Sequence, residues 1–248
     1  MLEAVNMIKI YADGADLKKM VEMAGDFRIS GFTTNPSLAR SAGVGNYMDF
    51  CRAAVQAAAG KPVSLEVLAD EPEEVLRQAH ILSDIGRGVV VKVPIVNSRG
   101  ESMAEVIHEL ALVGTSLNIT AVFTHSQVRE AARALCVYIP DGHMHVPEGA
   151  AIVSVFAGRV ADAGIDPARH ALLCRRILEE ECPHAELLWA SPRQTYDLTL
   201  AVRARCDIIT MTPALIEKLS LRGKDLTEYS RETSEMFSRD ARAAGYVL

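Results

Sequence analysis

The sequence predicts an α/β fold, a single (β/α)8 TIM barrel with an additional C-terminal helix. Short segments rich in Val, Ile and Leu alternate with helical patterns along the 248 residues, and repeated βα units of this kind imply parallel strands. Eight units recur at a spacing of about 31 residues, and about 250 residues is a common length for this barrel. A doubly wound open sheet is the alternative, but no glycine-rich phosphate loop follows the first strand. No linker divides the chain, so residues 1–248 are expected to form one domain.

Each strand is predicted from an apolar, often β-branched run, and each helix from apolar positions that recur at helical spacing. The predicted strands cover residues 8–12, 28–33, 63–67, 88–94, 116–123, 151–156, 186–190 and 207–211. The predicted helices cover residues 17–23, 46–59, 72–85, 103–112, 126–135, 167–181, 194–204 and 213–219. This order predicts that every strand runs in the same direction and that the helices surround the barrel.

Two segments depart from the repeating pattern. Residues 137–149 contain two prolines, two glycines and His143-Met144-His145, which predicts an inserted loop. Because the loop precedes the sixth strand, it is expected at the barrel face opposite the strand ends that carry chemistry. Two histidines at this spacing, without neighbouring carboxylates or cysteines, are weak evidence for a metal. Residues 225–244 predict one further long helix, whose apolar positions are Leu226, Tyr229, Met236 and Phe237.

Composition excludes several classes of partner. The net charge of −6 argues against nucleic acid or an anionic membrane as a partner, so any anion must be bound by locally placed Arg and Lys. The five cysteines are scattered and include no CxxC pair, which is typical of a reduced cytoplasmic protein. The N-terminus does not resemble a secretory signal, and no run approaches the ~18 apolar residues of a membrane span.

The fourth predicted strand contains a lysine, Lys92, within Gly88-Val89-Val90-Val91-Lys92-Val93-Pro94. Runs of this kind belong to parallel sheets that are covered on both faces. Burial disfavours a charged ammonium, and a neutral amine is a nucleophile toward carbonyls, as in Schiff-base enzymes. The other interpretation is a lysine at the strand end that extends its amine into water. This segment alone favours neither interpretation.

Polar residues recur at the predicted C-terminal strand ends, which is where such barrels place their reacting groups. They are Asp13, Asn35, Glu66, Lys92, Asn118, Thr120, Ser154, Ser191, Arg193 and Thr210. Singly, each has an ordinary explanation: Asp13 as a helix cap, Asn35 before a proline as a turn, or Arg193 as a surface charge. A ring of such groups at successive strand ends favours an active site.

Five motifs, in order, resemble the signatures of the transaldolase family. They are Thr33-Thr34-Asn35-Pro36-Ser37-Leu38, Lys92-Val93-Pro94, Asn118-Ile119-Thr120, Ser154-Val155-Phe156-Ala157-Gly158-Arg159 and Ala190-Ser191-Pro192-Arg193. The resemblance spans the chain from Ile10 to about Leu219. The chain length is similar to the short branch, which includes both transaldolases and fructose 6-phosphate aldolases, class I enzymes that form a Schiff base.

The resemblance implies the catalytic roles. Lys92 matches the lysine that forms the Schiff base with the ketone of a sugar phosphate. Asp13 matches the aspartate that exchanges a proton with the C4 hydroxyl. Glu66 and Thr120 match the pair that holds a catalytic water. No cofactor or metal is expected for this chemistry.

The resemblance also implies the substrate-binding residues. Asn35, Asn118 and Ser154 match the groups that bind hydroxyls of the donor sugar. Arg159, Arg193 and Ser191 match the phosphate site, and a guanidinium is a planar fork suited to phosphate oxygens. Sugar phosphates are therefore the expected partners. Arg99, close after the Lys92 strand, is a weaker candidate for added positive charge.

Two positions separate group transfer from release within this family. The aldolase branch carries a tyrosine at the place of Phe156 and a glutamine at the place of Glu66. The chain has the transaldolase combination, which favours transfer of a dihydroxyacetone unit, for example from fructose 6-phosphate to erythrose 4-phosphate in pentose phosphate metabolism.

Several alternatives stay open. One is an aldolase that releases dihydroxyacetone. Another is a specialised transaldolase with an unusual anionic substrate, because Ala157 and Pro192 differ from the residues common in these motifs. A third is a non-catalytic barrel that binds sugar anions. In short-branch relatives the C-terminal helix packs on a neighbouring subunit, which implies a homo-oligomer such as a decamer; otherwise it would fold back on its own barrel.

Overall fold

The computed structural model describes residues 8–138, 144–145 and 150–247, and its strands form one closed parallel barrel. The strands in chain order are β1 (Lys9–Asp13), β2 (Ile29–Thr33), β3 (Val63–Glu66), β4 (Val89–Pro94), β5 (Leu117–Val122), β6 (Val137–Tyr138), β7 (Met144–His145), β8 (Ala151–Val155), β9 (Glu186–Trp189) and β10 (Ile208–Met211). Around the barrel β1 to β5 follow one another, then β8, β9 and β10, which pairs with β1. The predicted (β/α)8 barrel is therefore confirmed.

The first nine helices lie between consecutive barrel strands, as expected for parallel pairing, and the last two follow β10. They are α1 (Leu17–Ala24), α2 (Pro36–Ser41), α3 (Tyr47–Ala57), α4 (Pro72–Ser83), α5 (Ala104–Leu112), α6 (His125–Leu135), α7 (Ala157–Asp162), α8 (Pro167–Glu181), α9 (Asp197–Arg203), α10 (Pro213–Glu217) and α11 (Leu226–Ala243), with a 3₁₀ turn at Lys218–Leu221. Side-chain caps begin several of them; Thr124, for example, starts α6 with a complete capping box with Gln127.

Two short helices, α2 and α7, were not predicted. Each has six residues, too few for apolar residues to recur at helical spacing. α2 begins where the side chain of Asn35 accepts a hydrogen bond from the Leu38 N–H at 2.9 Å, with Pro36 at its first position. Both helices directly follow a barrel strand, so they lie at the C-terminal face.

The apolar residues form two separate layers. The larger packs between the barrel and its helices, and the smaller is a cluster of Tyr11, Val90, Ile152, Leu188, Ala190 and Ile208. Residues on one face of a strand alternate, so Lys92 lies on the same face as Val90, two residues before it. The smaller cluster is therefore the apolar floor beneath the strand ends.

The insertion begins after α6, and two short pieces of it pair, β6 with β7, in antiparallel register. The prediction of a loop concerns in large part residues outside the described ones, and His143, one of the two histidines weighed for a metal, is among these. No helix among the described residues is long and apolar enough to cross a membrane. All five cysteines are buried free thiols.

Candidate active site

Lys92 lies inside the barrel. Its side chain is only 8% exposed, and its ammonium Nζ donates a hydrogen bond to the Thr34 carbonyl at 2.9 Å. The Glu66 Oε2 atom lies 3.0 Å from the same Nζ. Glu66 and Lys92 are lateral neighbours in the β3–β4 register, which explains why their side chains meet. The lysine therefore does not extend into water, and the interpretation as a strand-end residue that does so is wrong.

Asp13 ends β1 and belongs to the same charged group. The Thr33 hydroxyl at the end of β2 donates a hydrogen bond to Asp13 Oδ1 at 2.7 Å, and it also contacts the Thr210 hydroxyl on β10. Burial raises the pKa of Asp13 above its ordinary value; the Thr33 hydrogen bond and the charge of Lys92 act in the opposite direction, and Glu66 adds to the increase. A carboxyl group with a raised pKa suits acid–base work near neutral pH.

Glu66 is positioned through its backbone. The Tyr47 hydroxyl, at the start of α3, donates to the Glu66 carbonyl at 2.9 Å and accepts from the Glu66 N–H at 3.2 Å. This pair of bonds holds the last residue of β3, from which the carboxylate reaches Lys92. Tyr47 was missed as a site residue, because an aromatic residue near a helix start has no signal that separates it from the core.

A buried chain of hydrogen bonds lies beside Lys92. Ser154 Oγ on β8 donates to Asn118 Oδ1 at 2.6 Å, and Asn118 Nδ2 on β5 donates to Ser64 Oγ on β3 at 3.0 Å. Asn118 is the lateral neighbour of Lys92 in the β4–β5 register. The structure thus brings the predicted Asn118 and Ser154 together and fixes the orientation of the amide next to the lysine.

Thr120 lies two residues after Asn118 on β5, and its lateral neighbour in β4 is Pro94. The next residue, Ala121, has a left-handed φ of +56°, and the β5–β8 register shifts between Ile119 and Val122. A non-glycine residue in this conformation stores strain, and such irregularities cluster at functional sites. The irregularity ends the regular β5 pairing directly after the predicted catalytic threonine.

Phe156 and Arg159 form one surface at the end of β8. The Phe156 ring stacks on Phe123 with 5.3 Å between ring centroids, and the Arg159 guanidinium carbon lies 5.3 Å from the Phe156 centroid. Arg159 has no ion-pair partner among the described residues. Its positive charge is therefore held over an aromatic face and remains open to an anion.

Arg193, by contrast, is already paired. Its guanidinium forms an ion pair with Asp162 at the end of α7, with Nε 3.1 Å from Oδ2. Its backbone N–H donates to the buried Asp197 carboxylate at 2.6 Å, so Asp197 holds the loop that carries the arginine. Asp162 and Asp197 were not predicted, because nothing in their local sequence indicates a contact with Arg193.

Ser191 and Asn35 complete the predicted set. Ser191 lies two residues after the end of β9 and has a left-handed φ of +60°. Its carbonyl packs against Gly158. Asn35 uses its side-chain oxygen to cap α2. Capping was the ordinary explanation offered for Asp13, but the residue that caps α1 is Asp16. Arg99 is paired with Asp70, Glu71 and Glu101, which leaves little of its charge for a substrate.

The arrangement can carry out carbonyl chemistry. A buried amine touches a carboxylate that can accept its proton, and a second carboxyl with a raised pKa completes the group. Two arginines lie on neighbouring segments that follow β8 and β9, and barrels often bind phosphate near their last strands. The geometry therefore suits a substrate with a ketone and an anionic end.

Comparison with known proteins agrees with this chemistry. The family model described as Transaldolase/Fructose-6-phosphate aldolase matches residues 10–246. A "Probable transaldolase" of Hyphomonas neptunium is 30% identical over 240 residues, covering 96% of this chain and 99% of that protein. A "Probable transaldolase" of Rhodospirillum centenum is 32% identical over 216 residues, covering 86% of this chain and 84% of that protein.

Solved structures add the fold. "Native KDPGal structure" aligns with a TM-score of 0.52 and 12% identity over 96% of each chain. A cube-shaped protein cage designed by fusing symmetric oligomeric domains aligns with a TM-score of 0.55 and 12% identity, over 96% of this chain and 80% of that one. At this identity the likeness concerns the barrel alone.

Proposed function

This chain belongs to the transaldolase/fructose-6-phosphate aldolase family, and we propose that it is a transaldolase. The family membership supports an enzyme of the aldolase type. The enzyme transfers a dihydroxyacetone unit from a ketose phosphate to an aldose phosphate through a Schiff base on Lys92. The observation that carries this proposal is the buried Lys92 amine 3.0 Å from the Glu66 carboxylate. Schiff-base formation needs a lysine amine that can lose its proton, and the adjacent Glu66 carboxylate is a group that can accept it.

The first step forms the Schiff base. Glu66 takes a proton from the Lys92 ammonium, and the neutral nitrogen attacks C2 of the ketose. A proton then passes from the nitrogen to the former ketone oxygen, which becomes a hydroxyl. The resulting carbinolamine then loses its hydroxyl as water, with a proton supplied by Glu66 through a water held together with Thr120. The product is an iminium between C2 and Lys92, which accepts electrons during the next step.

The second step breaks the C3–C4 bond. The Asp13 carboxylate removes the proton of the C4 hydroxyl, the C4 oxygen becomes an aldehyde, and the bond electrons move through C3 into the iminium. An aldose phosphate leaves and an enamine stays on Lys92. The reverse sequence with a second aldose phosphate, in which Asp13 returns the proton, gives the new ketose.

The binding residues follow the same axis. Asn118 and Ser154 offer a preordered amide and hydroxyl beside Lys92, and Asn35 lies at the end of β2. Arg159 and Arg193, together with Ser191, bind the phosphate. Asp162 occupies one edge of the Arg193 guanidinium, so a phosphate there competes with this carboxylate or uses the remaining N–H groups.

Borohydride trapping tests the proposal directly. The protein is incubated with fructose 6-phosphate, reduced with borohydride and analysed by intact and peptide mass spectrometry. A dihydroxyacetone adduct on the Lys92 peptide is expected, and Lys92→Met should abolish both adduct and turnover. Lys61→Met is the matched control, because Lys61 is bonded to the Asp26 carbonyl away from the site. Turnover in folded Lys92→Met protein would refute the mechanism.

Product analysis separates transfer from release. With erythrose 4-phosphate present, a transaldolase yields sedoheptulose 7-phosphate and little free dihydroxyacetone. Free dihydroxyacetone as the main product would instead identify the aldolase type. An adduct that forms only with other anionic sugars would identify a specialised transaldolase, and binding without any adduct would identify a sugar-binding barrel.

The assembly we propose is a homo-oligomer joined through α11. No residue of this helix is buried, and Leu226, Tyr229 and Phe237 are exposed on it, so it does not fold back into its own barrel. A groove of about 990 Å³ between α1 and α3 is lined partly by apolar Met20 and Phe50 and could receive such a helix from another copy. Sedimentation analysis should give a ring such as a decamer, and Phe237→Glu should dissociate it.

A cytoplasmic location completes the proposal, since five free buried thiols suit a reducing compartment. Fractionation of the native cells with antibody detection tests this location.

A further inference from the structure

Three metal-type ligands meet on the outer side of the barrel, apart from the groups used in the proposed reaction. His125 is the first residue of α6, and His170 and Cys174 lie four residues apart on α8. Residues at this spacing lie on the same face of a helix. One ligand atom from each of the three lies within 4.8 Å of the others.

Two of the three side chains, His170 and Cys174, have a ligand atom without another partner among the described residues. His170 Nε2 is buried without a hydrogen-bond partner among the described residues, and a buried polar atom of this kind is costly unless something occupies it. Cys174 is fully buried, and its free thiol is the only sulfur in the group.

We propose that His125, His170 and Cys174 form a site for one zinc-class divalent ion. Two imidazole nitrogens and one thiolate are the donor set of borderline-soft metals. Oxygen-preferring ions such as Mg²⁺ and Ca²⁺ should bind poorly, because the group contains no carboxylate. Binding releases the thiol proton to solvent, and a water on the side of the partly exposed His125 completes four ligands.

Small movements are needed to close the site. The two imidazole rings are stacked, with 4.3 Å between centroids, and His125 Nε2 lies 3.3 Å from the His170 carbonyl. Metal–ligand bonds of about 2.0–2.3 Å place tetrahedral ligand atoms roughly 3.3–3.7 Å apart. The ligand atoms must therefore approach by about 1 Å, with the rings turned edge-on. His125 has room to turn, because it is partly exposed at a helix start.

The position of this group gives the ion a structural role. α6 begins two residues after Phe123, whose ring supports Phe156, and α8 follows the α7 segment that carries Arg159. An ion here would join the start of α6 to the first half of α8 behind this part of the candidate active site. The proposal does not depend on the chemistry at Lys92.

Cobalt(II) is the probe for the test, because a thiolate ligand adds a charge-transfer absorption band that water and imidazole do not. The full-length protein is treated with a chelator, dialysed and titrated with Co²⁺, and the bound Co²⁺ is then displaced with Zn²⁺. One ion per chain with the thiolate band is expected, and Zn²⁺ should raise the melting temperature.

Variants decide the outcome. Cys174→Ala should lose the band and the zinc-dependent increase in melting temperature, and His125→Ala, at a partly exposed position, should weaken binding at least about tenfold. Cys51→Ala, which removes another fully buried thiol, should behave like wild type. Wild-type protein without the band, or a band that survives in folded Cys174→Ala protein, overturns the proposal.

Discussion

A Cβ atom built on Gly158 would lie 1.6 Å from the carbonyl oxygen of Ser191. Only a glycine lets the start of α7 approach the loop after β9 this closely, and the Gly158 N–H also donates to the Ala190 carbonyl at 3.3 Å. α7 carries Arg159 and the β9 loop carries Arg193. The missing side chain therefore determines the distance between the two proposed phosphate-binding arginines.

Gly158→Ala should separate these two segments. Overpacking of this kind costs about 1–3 kcal/mol of unfolding free energy, and we expect a lower melting temperature together with a raised KM for the sugar phosphate. Gly45→Ala is the control, because a Cβ there meets nothing within 4 Å. Calorimetry and steady-state kinetics measure both effects. Equal melting temperatures and equal KM values for Gly158→Ala and Gly45→Ala would show that the close approach affects neither stability nor substrate binding.

The pairing of Arg193 with Asp162 should weaken phosphate binding. Both side chains are about half exposed, and exposed ion pairs contribute about 0.2–1 kcal/mol. Asp162→Asn is therefore expected to lower the KM for fructose 6-phosphate by about two- to fivefold, since phosphate no longer competes with a carboxylate.

Arg193→Ala should have the opposite effect on the same substrate. Loss of charge-assisted hydrogen bonds to phosphate should raise KM by about tenfold or more. Arg133→Ala, which removes an exposed arginine paired with Glu181, should leave KM unchanged. Equal KM values for Arg193→Ala and Arg133→Ala would remove Arg193 from the phosphate site.

The raised pKa of Asp13 predicts the acid limb of the pH profile. Cleavage needs the carboxylate form, so kcat/KM should rise with pH and reach half of its plateau above the ordinary range of an aspartate. The Thr33 hydroxyl lowers this pKa, so Thr33→Val should move the limb to higher pH. Thr33→Ser retains the donor and should keep the wild-type limb. A limb that is identical in all three proteins would rule out Asp13 as the group that titrates.

The same pKa shift has a consequence for stability. The pKa of Asp13 is higher in the folded protein than in the unfolded chain, so folding favours the protonated carboxyl. The contribution of Asp13 to the free energy of unfolding is therefore fully present at low pH and is lost as pH rises through the folded-state pKa. Asp13→Asn should therefore be more stable than wild type at alkaline pH and lose this advantage at acid pH. Melting temperatures measured across the pH range test this sign; a difference that is independent of pH would contradict it.

Glu66 and Phe156 should govern the fate of the enamine. Glu66→Gln removes the proton acceptor 3.0 Å from the amine and is expected to lower kcat by about 100-fold or more. Adding Phe156→Tyr supplies a hydroxyl that can position water, so the double variant should release a larger share of free dihydroxyacetone.

Phe123→Tyr combined with Glu66→Gln is the control, because it places the hydroxyl on the ring stacked against Phe156. The ratio of dihydroxyacetone to sedoheptulose 7-phosphate, followed by NMR, measures the effect. An unchanged ratio in the Phe156 variant would show that this position does not separate the two activities.

The strands were predictable because each one is an apolar run buried on both faces. Val89–Val91, for example, must be covered by helices on one side and by the barrel interior on the other. Strand alternation put Lys92 on the same face as Val90, and the structure showed that this face points into the barrel. The short helices α2 and α7 were missed, because six residues contain too few turns for a periodic pattern.

Contacts between residues that are far apart in the sequence could not be predicted from local patterns. Thr33 and Thr34 belong to the first of the five family-like motifs, yet nothing in that motif indicates that the Thr33 hydroxyl bonds Asp13 and the Thr34 carbonyl bonds Lys92. The pairing of Arg193 with Asp162 joins residues 31 positions apart and depends on how two loops approach each other.

The sequence by itself determined that eight parallel strands carry polar groups at their ends and that the fourth contains a lysine on the same face as Val90. These properties depend on local apolar patterns and on the alternation of side chains along a strand. Only the tertiary structure decided that Glu66 contacts Lys92 and that Asp162 forms an ion pair with Arg193. The reason is that the packing of the whole barrel sets the lateral register of the strands and the distance between the loops.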